Sequence, residues 1–442
     1  MQNLLATAPL EGTQQAANAP LFLALPDPTG TLRTFAVAQS PIMEPGLAAQ
    51  FPTIKTYVGQ GVDDPTATLR MDLTPQGFHA QVRSGRTAHW WIDPYSQGDA
   101  LHYTSYTKAN LKPLHRWACE VAEQTPAPDD AANPINPGFG ILTSGPTLRT
   151  YRLAVACTGE YAAFHGGTVA LAQAAIVTAV NRVTGVYETE LAVRMTLVAN
   201  NSSIVYINAA TDPYTNGNGS TMLGQNQTNL TTVIGAANYD IGHVFSTGGG
   251  GVASLGVVCS STSKARGVTG SGAPTGDPFW IDYVAHEMGH QFGANHAFNG
   301  INGNCAGGNR NASTAYEPGS GTTIMNYAGI CGADDFATNS DAYFNFISLQ
   351  EIRNNVQSGS ASLCGAPTST GNGAPSVTAP GINGLTLPKG TPFFLTALGT
   401  DPNFDPLTFC WEERDQETNG SALTTPDNGT MPLFRSFPPT SS

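Results

Sequence analysis

The segment HEMGHQFGANH at residues 286–296 constrains the fold and chemistry of this chain more than any other. His286 and His290 are four residues apart, so on a helix their imidazoles lie one turn apart on the same face. Gly293 predicts the end of that helix, because glycine tolerates the positive φ that turns the chain sharply. The turn lets His296 approach the first two histidines from outside the helix. The segment therefore predicts three imidazoles around one point.

Three neutral imidazoles are a suitable ligand set for Zn²⁺, at Zn–N distances of about 2.0–2.1 Å. Three protein ligands leave a fourth position for water, which is typical of catalytic rather than structural zinc sites. Glu287 follows the first ligand directly, so its carboxylate can reach that water and act as a general base. A chance match on a core helix is the alternative, but three of the nine histidines fall in this one pattern. We therefore predict zinc on His286, His290 and His296.

The HExxHxxGxxH pattern, followed by TIMNY at 323–327, resembles the metzincin metallopeptidases. Residues 147–360 are similar to the reprolysin-like branch of secreted bacterial proteases, and the segments YEPGSG at 316–321 and DAYF at 341–344 favour that branch. The resemblance implies that Met325 forms the Met-turn beneath the zinc. Reprolysins carry Asp after the third histidine, whereas this chain has Ala297. That departure puts the family's fine specificity in doubt and leaves the zinc chemistry unaffected.

The resemblance implies a secreted zinc-dependent endopeptidase that hydrolyses extended peptides, with Glu287 as the general base. Two other classes remain open. One is an adhesin or binding protein on a metalloprotease scaffold, which the intact Glu287 disfavours. The other is a different zinc hydrolase, such as an amidase, which the long glycine-rich edge strand disfavours.

The resemblance also implies an edge strand above the active-site helix, at the end of the glycine run 248–251. An edge strand has unpaired N–H and C=O groups, to which an extended peptide substrate can add. An ordinary glycine-rich edge is the alternative. The predicted substrate-binding residues are Val252, Ala253, Ser254, Leu255 and Gly256.

Three further residues near these motifs have two interpretations each. Tyr327 is a catalytic candidate, because in astacin-like and serralysin-like relatives the tyrosine two residues after the methionine can bind zinc. The alternative is a tyrosine packed beneath the site, since reprolysins lack that switch. His243 lies in a predicted buried strand and is interpreted as a hydrogen-bonded core histidine rather than a ligand. Glu317 either supports the Met-turn loop or is an exposed loop carboxylate.

The rest of the chain predicts an α/β (α+β) catalytic domain between two β-rich regions. Period-two alternation from 20 to 113 is clearest in residues 69–83, which predict a hairpin with one buried face. Residues 120–146 contain five prolines and predict an extended, cleavable linker, and strands alternate with helices from residue 147 onward. Short apolar runs at 385–387, 393–397 and 407–411 resemble the start of an immunoglobulin-like sandwich.

Four regions follow from these patterns, and the first 20 residues are predicted to be disordered. The regions are a β-rich propeptide (1–119), a Pro-rich linker (120–146), the metzincin catalytic domain (147–365) and a linker with a partial β-sandwich module (366–442).

Composition limits the partners and the compartment. The chain has 19 Lys and Arg and 32 Asp and Glu, which gives a net charge of −13. This charge argues against nucleic acid and anionic membranes as binding partners. No uncharged apolar run reaches the 18 residues of a membrane span. Seven cysteines in a chain poor in lysine predict an oxidising, extracellular destination. The expected partners are protein or peptide substrates and the chain's own propeptide as inhibitor.

Four of the cysteines have arguable partners. Cys305 and Cys331 bracket the glycine-rich stretch before and after the Met-turn and are predicted to pair. The metzincin resemblance implies that Cys259, after the edge strand, pairs with Cys364, after the last helix. The two cysteines in predicted strands, Cys157 and Cys410, are predicted to be buried thiols.

Cys119 stands between the β-rich region and the linker. This order of β-domain, cysteine, cleavable linker and catalytic domain resembles zymogens with a cysteine switch, in which a propeptide thiolate occupies the fourth zinc position. Cys119 is therefore a predicted metal ligand of a latent form. The alternatives are a disulfide with Cys157 or Cys410, or packing under Trp117.

The C-terminal region contains a candidate calcium site. Asp401, Asn403 and Asp405 form a D-x-N-x-D run of oxygen ligands that resembles the calcium sites of cadherin-like modules. A solvated acidic turn is the alternative to Ca²⁺ binding.

Overall fold

The computed structural model describes residues 1–99, 101–111, 144–379, 386–388 and 390–441, and the backbone of 119–121. The N-terminal region is an antiparallel sheet of seven strands that pair in chain order. Three short helices accompany it: α1 (Gln2–Leu5), α2 (Gln14–Asn18) and α3 (Pro45–Gln50). The strands are β1 (Leu21–Pro26), β2 (Leu32–Gln39), β3 (Lys55–Gly61), β4 (Thr68–Thr74), β5 (Gly77–Arg83), β6 (Trp90–Pro94) and β7 (Tyr103–Thr107).

The first 20 residues are ordered, contrary to the prediction. They contain α1 and α2, and Leu5 is buried in the core of the N-terminal sheet. The N–H of Glu11 donates to the carbonyl of Gln39 at 2.9 Å, which fixes this segment along β2. Apolar burial and backbone pairing together account for its order.

Strands β4 and β5 form the predicted hairpin, with Leu69 opposite Val82 and Met71 opposite Ala80. Only one buried face was expected, and this part of the prediction is wrong, because β5 is buried along its whole length. The polar side of the hairpin packs on a long helix of the second region. Thr178 of that helix donates to Asp72 at 2.8 Å, and Asn181 donates to the carbonyl of Met71 at 3.0 Å.

The second region is a mixed α/β fold, as predicted. Its sheet has the order β10-β9-β11-β13-β12-β8, in which β12 runs antiparallel to β13 and the other neighbours are parallel. Strand β14 pairs with the first half of β9. The strands are β8 (Cys119–Val121), β9 (Thr147–Cys157), β10 (Val193–Leu197), β11 (Ile241–Ser246), β12 (Gly251–Ala253), β13 (Gly267–Gly270) and β14 (Ala366–Ser369).

In the described residues, six α-helices accompany this sheet. A π-helical turn, Thr231–Gly235, follows the third of them, and another, Trp280–Ala285, joins the fourth to the fifth. The helices are α4 (Gly159–Phe164), α5 (Val169–Leu191), α6 (Gly219–Leu230), α7 (Asp277–Phe279), α8 (His286–Gln291) and α9 (Phe346–Ser358).

Helix α5 is the central helix of the core. Thr168 caps its first turn, and Ala192, with a φ of 53°, ends it in the left-handed conformation. In the described residues α5 is the one helix with the length and hydropathy of a membrane span, and 83% of its apolar window is buried inside the protein. Its apolar character is that of a core helix.

The N-terminal region also covers the outer edge of β10. The N–H of Leu197 donates to the carbonyl of Ile42 at 2.7 Å, and the N–H of Glu44 donates back to Leu197 at 2.8 Å. Leu47 of α3 and Ile54 are buried within the core cluster of the second region. The two regions therefore share apolar core contacts as well as polar ones.

The C-terminal region does not form the predicted sandwich strands. Among its described residues the two strands that pair with each other, β15 (Ser376–Thr378) and β16 (Leu398–Thr400), lie elsewhere, and residues 393–397 form no strand. The run 407–411 contributes a single bridge, Phe409 with Thr440, and residue 385 of the run 385–387 lies outside the described residues. The later residues also dock on the second region. For example, Tyr343 donates to the hydroxyl of Ser436 at 2.8 Å.

Both predicted disulfides, Cys305–Cys331 and Cys259–Cys364, are present. Cys157 is a buried free thiol, as predicted. Cys410 is also a free thiol, but it is exposed, so the prediction of burial is wrong there. The reason is that its segment does not form the strand that would have enclosed it.

Candidate metal centre

A continuous helical segment, α7, the π-helical turn and α8, carries two of the three histidines. The π-helical turn ends at Ala285, whose carbonyl accepts a hydrogen bond from the hydroxyl of Tyr187 at 2.8 Å. Gly293 has a φ of 106°, and the N–H of Ala294 closes onto the carbonyl of Gly289 at 2.9 Å. The helix therefore ends at the glycine that the sequence predicts, and the chain turns back towards it.

The structure brings the three predicted histidines together. Their Nε2 atoms are separated by 3.0 Å (His286 to His290), 3.1 Å (His290 to His296) and 3.2 Å (His286 to His296). Tetrahedral zinc with Zn–N distances of about 2.0–2.1 Å separates its nitrogen ligands by roughly 3.3 Å. The spacing therefore fits one metal ion. Among the described residues this is the one group of three or more His, Cys, Asp or Glu side chains close enough to share an ion.

Each imidazole is oriented by a backbone carbonyl on its far side. Nδ1 of His286 lies 2.7 Å from the carbonyl of Ile324, and Nδ1 of His290 lies 2.7 Å from that of Ala294. Nδ1 of His296 lies 2.5 Å from the carbonyl of Asn309. A carbonyl can only accept, so each Nδ1 carries the proton and each Nε2 presents its lone pair to the common point.

Burial also favours the neutral form of the three rings. It lowers the pKa of His290 to about 4, and it holds the pKa values of His286 and His296 well below the usual value for histidine, with the neighbouring histidines adding to the effect. Neutral imidazole is the form that binds a metal. The three rings are therefore held in the form that binds a metal ion.

Glu287 is fully buried beside the triad. Its carboxylate lies against Gly251 of β12, where an added Cβ would overlap both Glu287 and Tyr283. Glycine at this position lets the strand approach the carboxylate closely. Strand β12 therefore borders the site.

The predicted substrate-binding strand is shorter than expected. Val252 and Ala253 belong to β12, but Leu255 and Gly256 form a turn. Gly256 has a φ of 65°, and its N–H donates to the carbonyl of His290 at 2.9 Å. Ser254 follows the strand, and its N–H donates to the carbonyl of Arg266 at 3.0 Å. The strand ends because its backbone groups bond to the end of α8 and to the loop before β13.

The outer edge of β12 is occupied by β8, which runs parallel to it with Cys119 opposite Gly251. The side chain of Cys119 lies outside the described part of the structure, so its predicted contact with the metal stays a prediction. The backbone register places residue 119 beside the glycine that borders Glu287.

Met325 lies beneath the triad. It is fully buried, and a Cβ on Gly289, between the two helical histidines, would overlap its sulfur. Glu317 holds the loop that carries it: the carboxylate accepts from the N–H of Thr322 at 2.9 Å and from the side chain of Asn326 at 2.6 Å. Glu317 is therefore the buried support of the Met-turn loop, and burial raises its pKa.

Tyr327 and His243 both pack close to the centre. The ring of Tyr327 is buried, with its centroid 4.5 Å from that of His296 and 4.7 Å from that of Phe298. This packing supports the interpretation of Tyr327 as a packed residue. His243 contacts Gln291 Oε1 through Nδ1 and Thr269 through Nε2, both at 2.8 Å. It is a hydrogen-bonded core histidine, as predicted.

The sequence did not indicate the residues that hold the ligand-bearing segments in place. Tyr187 lies about 100 positions before the helix end that it supports, and Gln291 joins α8 to β11 through the carbonyl of Gly242 at 2.8 Å. Asn309 acts through its backbone, which has no signature in a sequence. For Gln291 the sequence offered one signal of this role, its position next to the predicted ligand His290.

Asp401 behaves as a turn residue. Its Oδ1 accepts from the N–H groups of Asn403 at 2.8 Å and Asp405 at 3.1 Å. This supports the acidic-turn interpretation over a calcium site.

Comparison with known families agrees with the geometry of the centre. Residues 147–355 match a sequence family described as metallo-peptidase family M12B, reprolysin-like. A search of curated proteins found no match. The matched range contains the three histidines, Glu287 and the Met-turn loop.

Proposed function

Because residues 147–355 are a reprolysin-like metzincin metallopeptidase domain, we propose that this protein is a secreted, zinc-dependent endopeptidase in a latent precursor form. The observation that carries the proposal is the triad of His286, His290 and His296, with three Nε2 atoms within 3.2 Å of one another and each Nδ1 engaged by a carbonyl. The two disulfides support an extracellular site of action.

The proposed chemistry divides between the metal and Glu287. Zinc held by the three histidines supplies a Lewis acid that polarises the scissile carbonyl and lowers the pKa of water. Glu287 takes the proton from the attacking water and passes it to the nitrogen of the leaving amine. Its buried position beside β12 keeps the carboxylate oriented towards a peptide bound at that strand. Met325 and Tyr327 support the ligands from below.

The position of β8 supports the proposed latency. An extended substrate would add to the outer edge of β12, and β8 occupies that edge. We infer that Cys119 is the fourth zinc ligand of the precursor, because its register beside Gly251 brings its backbone to the site. Cys157 and Cys410 are both free thiols, which disfavours the two disulfide alternatives. A thiolate is a strong zinc ligand.

The decisive experiment is casein hydrolysis after cleavage within residues 122–143. We expect activity that a chelator abolishes and added zinc restores. Glu287→Ala should retain one equivalent of zinc, because all three ligands remain, and lose about 10²–10⁴-fold in activity. His296→Ala is the matched variant and should lose zinc itself. A cleaved, zinc-loaded protein without chelator-sensitive proteolysis would instead support the binding-scaffold alternative.

A further inference from the structure

The third histidine depends on a loop without regular strands or α-helices. Nδ1 of His296 donates to the carbonyl of Asn309, which ends a short 3₁₀ turn, Gly307–Asn309. We refer to residues 299–314, which follow His296, as the insert. A carbonyl on such a loop can hold an imidazole in place only if the loop itself is held. The next residue along the chain, Arg310, shows what holds it.

Arg310 fastens the insert to a segment more than 100 residues later in the chain. One guanidinium nitrogen donates to the carbonyl of Thr418 at 2.9 Å, and the other donates to the carbonyl of Glu417 and to Asn299 Oδ1 at 2.8 Å. A planar guanidinium with several donors suits such a bridge between separate backbone segments. Gly420 packs against the same side chain, because an added Cβ would lie 2.8 Å from Arg310 Nε.

Glu417 is buried and holds the insert through a second contact. It accepts from Asn299 Nδ2 at 2.9 Å, and Ser421 and Asn428 also donate to it. Burial alone would raise the pKa of Glu417, but these hydrogen bonds and the charge of Arg310 hold it below its usual value. The carboxylate is therefore ionised at neutral pH, opposite the guanidinium.

The same C-terminal segment bonds to both ends of the insert and to the loop beyond the Met-turn. The side chain of Gln416 donates to the carbonyl of Ala312 at 3.0 Å, and the N–H of Ser421 donates to the carbonyl of Asn299 at 3.2 Å. The N–H of Leu423 donates to Asp334 at 3.0 Å. Segment 416–423 thus covers the insert along its length.

We propose that segment 416–423, which lies outside the matched range 147–355, is a working part of the metal centre. Arg310 is a positioning residue: held by the carbonyls of Glu417 and Thr418, it keeps the Asn309 carbonyl against Nδ1 of His296. This inference rests on the proposed zinc function. It assigns a role in zinc binding to a segment that the sequence places in a separate C-terminal module.

The test compares zinc affinity in three variants of the full chain, measured by competition with a chromophoric chelator. Groups that orient a metal ligand are worth about 10- to 100-fold in affinity, and Arg310 acts one residue away, so Arg310→Ala should lose about tenfold. Arg310→Lys, which can still donate to one carbonyl, should lose less zinc affinity than Arg310→Ala. It replaces the alanine variant in the test if that variant does not fold. Arg435→Ala is the control, because Arg435 joins the C-terminal region to Asp341 (3.3 Å) and does not contact the insert.

Cobalt substitution provides a second measurement. The visible absorption of Co²⁺ reports the geometry of its ligands, so Arg310→Ala should alter the spectrum and Arg435→Ala should not. Unchanged affinity and spectrum in Arg310→Ala would overturn the inference, as would an equal loss in Arg435→Ala. A parent chain that binds no zinc would instead overturn the proposed function, so the two failures are distinguishable.

Discussion

The buried ion pair between Asp93 and Arg182 should control how tightly the N-terminal region stays bound after the linker is cut. Asp93 lies on β6 of the N-terminal sheet, and its Oδ1 is 2.9 Å from Arg182 on α5. Arg182 is only 2% exposed, and its second partner, Asp277, lies farther away at 3.4 Å. Asp93→Ala would leave this guanidinium with Asp277 as its remaining carboxylate partner, beside the ring of Trp280, whose centroid lies 4.9 Å away.

Removing one partner of a buried ion pair costs about 3–5 kcal/mol, because the other charge stays buried without compensation. Asp277 remains near Arg182, so we expect a smaller loss of about 2–3 kcal/mol in binding free energy. At about 1.4 kcal/mol per factor of ten, the dissociation constant of the N-terminal fragment should rise roughly 30- to 150-fold.

The assay places a specific protease site within residues 122–143, cuts it, and measures dissociation of the N-terminal fragment from the remainder of the chain. Asp99→Ala is the control, because the hydrogen bonds and ion pair of the Asp99 side chain in the described residues are with Leu101 and the exposed His102, in the loop between β6 and β7. An unchanged dissociation constant for the Asp93→Ala fragment would refute the reasoning. So would an equal rise in the dissociation constant of the Asp99→Ala fragment.

Two further predictions concern latency and pH. Cys119→Ala should give an uncut chain that hydrolyses casein or cleaves itself; a variant as inactive as the parent would contradict the thiolate ligand and leave inhibition to β8 alone. Burial raises the pKa of Asp282 to about 7, so its ionisation opposes folding: the free energy of unfolding should fall as the pH rises from about 4 through 7. Asp282→Asn should show a smaller fall between pH 5 and pH 8 in urea denaturation, and an equal fall in both proteins would refute the assignment.

The parts of the site that the sequence predicts are those with local signatures. A spacing of four residues on a helix places His286 beside His290, and Gly293 turns the chain; neither feature depends on contacts with distant parts of the protein. Cys305 and Cys331 close a loop of 26 residues around the Met-turn, so proximity along the chain favours their pairing. Each of these features depends on a few neighbouring residues.

The parts that escaped prediction depend on contacts between distant segments. The pairing of β8 with β12 joins residues about 130 positions apart, and no pattern within residues 119–121 indicates it. Alternation in β5 predicted a solvated polar face, but Gln81 and Arg83 are buried because that face packs on α5. Arg83, for instance, donates to the carbonyl of Gly185 at 2.8 Å.

Strands β10 and β12 of the second sheet have one feature in common: a segment from the first 121 residues lies along the outer side of each. Residues 42–44 lie along the free side of β10, and residues 119–121 lie along the free side of β12. An uncovered sheet edge carries unpaired N–H and C=O groups that recruit strands from other molecules and promote aggregation. If the proposed latency holds, the first 121 residues would protect the precursor from edge-to-edge self-association as well as block its activity. Cleavage and release of this region would expose both edges at once, so solubility and activity should change together during maturation.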